Sequence, residues 1–167
     1  MVGLSLAPPT KFRAPPRCRY QTQDTQQTLT EGLAEYYAQN RGRVLPPNSL
    51  PPESAELFRS HDLCHVIFGL DTTLSDEAMA DARTLFSCDV GWRRYAKYLT
   101  SDPEAKAIFK ELGVFATLSI TIRTLPRIGR AVWEAWSMPK RWPWNPPGEY
   151  QQRTLSDLRR EFGIRVI

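Results

Sequence analysis

Apolar residues recur every three or four positions along several stretches of the chain, and this spacing predicts α-helices. The pattern places helices from Thr28 to Asn40, from Glu53 to Gly69 and from Thr154 to Phe162. Glycine, which commonly ends helices, lies at or shortly beyond the end of each. We therefore expect an all-α fold, a single compact helical domain with a proline-rich N-terminal arm.

A further helix is predicted after Gly69, because small polar residues at 71–75 offer several N-caps. This helix would hold Glu77 in its first turn and run toward Leu99, bending at Gly91. The short connection would make it a close neighbour of the preceding helix. Glu77 is therefore expected to fold back toward that helix.

The next segment begins with Asp102 and Pro103, which have the order of an N-cap and a first helical residue. They predict a helix that ends near Thr124 or continues past it with a kink at Pro126. The run at 114–122 is rich in β-branched residues, so strand is the local alternative. We favour helix because strand turn signals are missing on both sides.

From residue 122 onward the pattern predicts a basic amphipathic helix. Its apolar face would carry Ile122, Leu125, Ile128, Val132 and Trp136, and its opposite face Arg123, Arg127 and Arg130. Residues 133–144 then hold four of the five tryptophans, and indole rings favour a boundary between apolar and wet surroundings. This pattern indicates a membrane-surface contact or, alternatively, a core-facing helix followed by a loop packed on the domain. Nucleic acid is not expected, since no binding motif or long basic stripe is present.

Length and composition limit the organisation of the chain. At 167 residues and 41% hydrophobic, it can bury one core. We expect a basic, proline-rich, flexible arm over residues 1–27 and a helical metal-binding domain over 28–167. Three cysteines without metal-type spacing, and no secretory signal, indicate a reducing compartment. No run of eighteen apolar residues exists, so we expect a soluble or peripheral protein.

The candidate chemistry lies at the only two histidines of the chain, His61 and His65. On a helix they lie one turn apart on the same face, with Asp62 about 100° round the helix. Glu77 follows His65 after eleven intervening residues. Imidazoles at i and i+4 bind one ion in other helical sites, and an unpaired cluster of ionisable groups in apolar surroundings would be costly. The pattern predicts a divalent metal site on His61, Asp62, His65 and Glu77.

The metal and its role stay open at this stage. Nitrogen and oxygen ligands without thiolates suit Zn²⁺, Fe²⁺, Mn²⁺ or Co²⁺. Four bound side chains would make a filled, structural zinc site, whereas Asp62 outside the shell would leave an open position for water or substrate. Asp62 or Glu77 would then be a candidate base, but no catalytic residue is assigned. Cys64 is expected to pack in the core.

These residues resemble the hallmark of the ubiquinone (coenzyme Q) biosynthesis protein 4 family. The string from His61 to His65, followed by Glu77 at the eleven-residue gap, matches that family's motif. A weaker similarity lies at 155–164, where leucine, arginine, glutamate and glycine-isoleucine occur in the family's closing order. The chain departs from the family after Glu77, where a tryptophan-phenylalanine-glutamate stretch is replaced by the sequence at 83–91.

The resemblance implies an all-helical protein with His61, Asp62, His65 and Glu77 as metal ligands. It implies Zn²⁺, with Fe²⁺, Mn²⁺, Co²⁺ or Mg²⁺ as alternatives. It also implies a polyprenylated lipid or quinone precursor, a membrane surface, other quinone-biosynthesis proteins and a second copy of the chain as partners. The implied activity is oxidative decarboxylation of a prenylated aromatic acid; the alternative is a non-catalytic lipid-binding or scaffold protein with a structural metal. The implied location is cytoplasmic, peripheral to the inner membrane, or the mitochondrial matrix side in a eukaryote.

Overall fold

The computed structural model describes residues 17–44, 52–91, 93, 95 and 124–166. These residues form α1 (Leu29–Gln39), α2 (Pro52–Phe68), α3 (Leu74–Ser87), α4 (residues 124–137) and α5 (Leu155–Phe162). Short 3₁₀ helices lie at Arg19–Gln21 and Gly148–Gln152. Strand pairing in this part of the chain is limited to isolated bridges. The all-α prediction is confirmed.

Local capping explains where these helices begin and end. The side chains of Thr28, Thr73 and Thr154 each accept a hydrogen bond from the backbone three residues later. Helix α2 ends before Gly69, whose φ of 70° lies in the left-handed region that favours glycine. A β-carbon there would also lie 2.6 Å from Val166, so both conformation and space require glycine.

The predicted continuation of α3 through Gly91 is wrong. The helix ends at Ser87, and Cys88 is extended. The Ser87 carbonyl accepts a hydrogen bond from the Trp142 amide at 2.8 Å, and the Trp142 carbonyl accepts one from the Asp89 amide at 3.1 Å. This distant pairing replaces the next helical turn. Residues 93 and 95 are helical again, while Leu99 and the predicted helix from Asp102 lie outside the described residues.

The core lies where α1, α2, α3 and α5 meet. Its most completely buried apolar side chains, each 0% exposed, are Tyr20, Leu29, Cys64, Val66, Ile67, Met79, Ala80, Trp142, Leu155 and Leu158. Val66 and Ile67 place one face of α2 in this core, so the helix that carries the two histidines is fixed by core packing. The loop after α4 contributes Trp142, as the packed-loop alternative predicted.

Residues 17–27 belong to this packed structure. Tyr20 is buried, and its hydroxyl donates a hydrogen bond to the Leu70 carbonyl at 3.1 Å. Glu35 accepts hydrogen bonds from two backbone amides of the 3₁₀ turn. The predicted flexible arm over 1–27 is therefore wrong from residue 17 onward, because an aromatic anchor and a carboxylate fix this part. Residues 1–16 lie outside the described residues.

Arg159 on α5 ties three parts of the chain together although its side chain is fully buried. It donates to the carbonyls of Ile67 at 2.8 Å and Val66 at 2.9 Å, in the last turn of α2. It also donates to the backbone carbonyls of Tyr20 at 2.6 Å and Thr22 at 2.7 Å. The last carbonyls of a helix lack a donor four residues later, and this guanidinium donates to two of them, beside the Gly69 amide, which also donates to Val66 at 3.2 Å. Burial lowers the pKa of Arg159 to about 10, so it remains charged at neutral pH.

Helix α4 is rotated relative to the predicted amphipathic arrangement. Leu125 and Trp136 of the predicted buried face are 53% and 77% exposed, and Trp133 is 71% exposed. Glu134 is buried instead and binds Arg83 of α3 in an ion pair, while Arg127 binds Asp76 at 2.8 Å. Charge pairing with α3 therefore decides which face of α4 packs. Ile122 and Arg123 lie outside the described residues.

Candidate metal centre

Helices α2 and α3 bring His61, His65 and Glu77 together. One potential ligand atom from each of these side chains lies within 4.8 Å of the other two. The two imidazole ring centroids are 4.8 Å apart, as expected for positions one helical turn apart. Glu77 lies in the first turn of α3, as predicted, and the short turn after Gly69 folds it back toward α2.

His65 is the most deeply placed member of the cluster. It is fully buried, and the ring of Tyr36 on α1 stacks on its imidazole at a centroid distance of 5.4 Å. Its Nε2 lies 3.3 Å from Glu77 Oε2. Neither ring nitrogen has a well-formed hydrogen bond among the residues that the structure describes. Buried polar atoms nearly always have a hydrogen-bond partner, so a buried imidazole without one is consistent with a nitrogen that binds an ion.

His61 faces a carboxylate that the sequence did not point out. Its Nε2 lies 3.8 Å from Oδ1 of Asp81, and Asp81 accepts a hydrogen bond from the Tyr95 hydroxyl. Burial by itself would lower the pKa of His61, but the carboxylates of Asp81 and Glu77 raise it to about 9. His61 therefore carries a proton at neutral pH when no ion is bound.

Asp62 lies outside this three-residue group. It is 3% exposed, and its Oδ2 accepts a hydrogen bond from the Tyr37 hydroxyl of α1 at 2.8 Å. The position next to His61 directs its side chain toward α1 and away from α3, as the 100° rotation per residue requires. Burial raises the pKa of Asp62 to about 6, against the lowering effects of His61 and Tyr37.

The electrostatics of Glu77 suit a cation. Burial would raise the pKa of Glu77, but the imidazoles of His65 and His61 hold it below its usual range. Its position in the first turn of α3 adds the favourable field of a helix N-terminus for a carboxylate. Glu77 is thus ionised at neutral pH, and its side chain is 33% exposed, so the cluster is reached from the α3 side.

The sequence pattern predicted the three residues of this cluster, His61, His65 and Glu77, but not the neighbouring carboxylate of Asp81. A signal was present, because Glu77 and Asp81 are spaced i and i+4 on α3, as His61 and His65 are on α2. Two neighbouring helices thus each present a pair of polar side chains one turn apart. The nitrogen and carboxylate donors suit Zn²⁺ and the other borderline divalent ions.

Comparison with known proteins does not extend this description. No family model, no curated protein and no solved structure matches the chain. Among the described residues, no helix has both the length and the apolar character needed to cross a membrane. The function is therefore argued from the geometry of the site.

Proposed function

We propose that the protein binds one divalent metal ion through His61, His65 and Glu77 and acts on a prenylated aromatic acid at a membrane surface. The observation that carries the proposal is the convergence of two buried imidazoles and an ionised carboxylate within 4.8 Å. Zn²⁺ is the ion that the family resemblance favours, and the nitrogen and carboxylate donors are compatible with it. Fe²⁺, Mn²⁺, Co²⁺ and Mg²⁺ are tested beside it.

The ligand number supports an open site over a structural one. Structural zinc sites are filled by four protein ligands, whereas catalytic sites keep three and leave a position for water or substrate. Asp62 is engaged by Tyr37, so it is not among the three converging groups. The part of the cluster at Glu77 and Asp81 is partly exposed, with side-chain exposures of 33% and 43%. A substrate carboxylate can approach from that side.

The proposed reaction class is the one that the family resemblance implies. Overall, an aromatic carboxylic acid, dioxygen, two protons and two electrons from an external reductant give a phenol, carbon dioxide and water. A bound divalent ion supplies a Lewis acid that holds the carboxylate and takes up developing negative charge. Asp81 lies beside His61 at the exposed edge of the site, and its carboxylate accepts a hydrogen bond from the Tyr95 hydroxyl.

A membrane surface is the second element of the proposal, and α4 supports it. Leu125, Trp133 and Trp136 are all more than half exposed on this helix. Arg130 on this helix and Lys140 just beyond it are also exposed, each in an ion pair with a glutamate, Glu134 and Glu161. Indole rings and basic side chains together favour the interface of an anionic bilayer. A polyprenylated substrate would be delivered from such a surface.

Metal content is the first test. The purified chain is analysed by elemental mass spectrometry beside His65→Ala and Glu77→Gln, with Glu149→Gln as an exposed carboxylate control. Near-stoichiometric metal in the parent and in the control, lost in the two site variants with unchanged circular dichroism, supports the proposal. A parent that takes up none of the five ions after incubation refutes the metal site.

Activity and membrane binding are tested separately. A prenylated 4-hydroxybenzoate is supplied in vesicles to the metal-loaded protein, in air and with a chemical reductant, and release of carbon dioxide is measured. Bound metal without any turnover would favour the lipid-binding or scaffold alternative. For the surface, Trp133→Ala with Trp136→Ala should reduce sedimentation with phosphatidylserine vesicles, while Tyr150→Phe should not. Equal sedimentation of all three proteins would refute the role of α4.

A further inference from the structure

Two thiols that take no part in the candidate metal centre meet between α2 and α3. The Sγ atoms of Cys64 and Cys88 are 3.6 Å apart. The two residues are 0% and 1% exposed, and both are free cysteines. Cys64 lies within α2, and Cys88 is the residue at which α3 is capped. Each helix that carries metal ligands therefore contributes one sulfur atom to this contact.

The distance is short enough for a disulfide after a small movement. A disulfide bond is about 2.05 Å long, so the sulfur atoms must approach by roughly 1.5 Å. Rotation of the two side chains with a slight shift of α3 supplies that movement. Cys88 is extended beyond the last helical residue and its backbone is bridged to Trp142, so rotation of the side chains supplies most of the movement.

We propose that Cys64 and Cys88 are a redox modification site that forms a reversible intramolecular disulfide with hydrogen peroxide. In the first step, one thiol sulfur attacks the O–O bond, gives a sulfenic acid and releases one water molecule. In the second step, the other sulfur attacks the sulfenic sulfur, the S–S bond forms and the hydroxyl leaves as a second water. The two thiols lose two electrons, and one peroxide is reduced to two waters.

Burial selects the oxidant and protects the intermediate. A small peroxide can reach sulfur atoms that are almost fully buried, whereas a bulky disulfide reagent is hindered. The second thiol lies within 3.6 Å of the first, so the sulfenic acid is consumed before it meets more oxidant. Cys18, which is partly exposed in the N-terminal segment, has no such neighbour in the described residues and serves as a reference.

The bond would close the chain around Glu77. The loop from Cys64 to Cys88 contains the turn after α2 and the whole of α3. By the loop-entropy relation, closing a loop of about 25 residues lowers the unfolding equilibrium constant by a factor on the order of a few hundred. Oxidation should therefore raise the midpoint of unfolding. The reaction involves only the two thiols, so its test does not depend on whether the protein binds a metal.

The test uses Cys18→Ser, which leaves Cys64 and Cys88 as the only thiols among the three cysteines of the chain. The folded protein is treated with hydrogen peroxide in a chelator, so that metal plays no part. Trypsin cleaves after Arg83, between the two cysteines, so a disulfide holds two peptides together. We expect that linked pair in non-reducing mass spectrometry, its separation by dithiothreitol, and a higher unfolding midpoint of the oxidised protein.

The controls decide between a redox pair and simple packing. Adding Cys64→Ser or Cys88→Ser to this variant should abolish both the linked peptides and the rise in the midpoint. If the folded protein keeps two free thiols, or oxidises to sulfinic acids without a linked pair, the proposal is overturned. If Cys18→Ser fails to fold, the same mapping is done on the parent. There, a bond from Cys18 in place of the Cys64 to Cys88 bond would also overturn it.

Discussion

Binding of a divalent ion at this site should release close to one proton at pH 7.5, and the proton should come from His61. Its pKa of about 9 keeps it protonated in the metal-free protein, and imidazole binds metal only when neutral. At pH 7 the neutral fraction is about 1%, which weakens apparent binding by about 2.7 kcal/mol at 1.36 kcal/mol per pKa unit. Glu77 has a lowered pKa and releases no proton.

Calorimetric titration with Zn²⁺ in buffers of different ionisation enthalpy counts the released protons. Competition with a chromophoric chelator at pH 7, 8 and 9 gives the affinity, which should rise about tenfold per pH unit until pH approaches 9. Glu149→Gln, an exposed control, should release the same number of protons. Tight binding with no proton release and constant affinity over this range would show that the reasoning about His61 is wrong.

Three further predictions concern stability. Replacing Arg159 by Met should lower the free energy of unfolding by about 3–4 kcal/mol, because the buried carbonyls of Tyr20, Val66 and Ile67 lose this charged donor. Arg160→Met should change it by less than about 0.5 kcal/mol; urea titration compares the two variants, and equal effects would contradict this. Tyr37→Phe should lower the free energy of unfolding by about 1–3 kcal/mol and raise the pKa of Asp62 further above 6, because the carboxylate loses its hydrogen-bond donor. NMR of the Asp62 carboxyl group measures this pKa, and an unchanged titration would refute the contact. In the presence of a chelator, His61 should contribute up to about 3 kcal/mol to the free energy of unfolding, because its pKa is higher in the folded than in the unfolded protein. This contribution should be complete below pH 6.5 and lost as pH rises through 9. Equal unfolding midpoints at pH 6 and pH 9 would rule it out.

The helices that sequence predicted well are those whose limits are set by neighbouring residues. Gly69 and Gly163 end α2 and α5 in the left-handed conformation, and this requirement is visible in the sequence. The limit of α3 was missed because Trp142, more than fifty positions away, takes the carbonyl of Ser87. Local pattern contains no information about such a partner.

The orientation of α4 was missed for a related reason. Apolar periodicity assumes that the apolar face packs inward, but the surface that α3 offers is charged. Arg83 and Asp76 on α3 select Glu134 and Arg127 on α4, and the tryptophans are left outside. Spacing along the chain did predict that His61, His65 and Glu77 lie close together, whereas Asp62, the fourth predicted ligand, is bonded to Tyr37. It could not predict Asp81, since that carboxylate joins the site only through the packing of α3 on α2.

Arg159 also sets an order of events during synthesis. The guanidinium that completes the last turn of α2 lies 92 positions after one of its acceptors and 139 after another. At bacterial to eukaryotic elongation rates, α2 therefore waits roughly 5–20 s after its own synthesis before this donor is made. Throughout that interval the carbonyls of Val66 and Ile67 lack the guanidinium donor of the folded protein, and the last turn of the helix bearing both histidines is incomplete. The domain gains its final structure only after Arg159 has been synthesised, and an ion that binds only the finished site is acquired after that point.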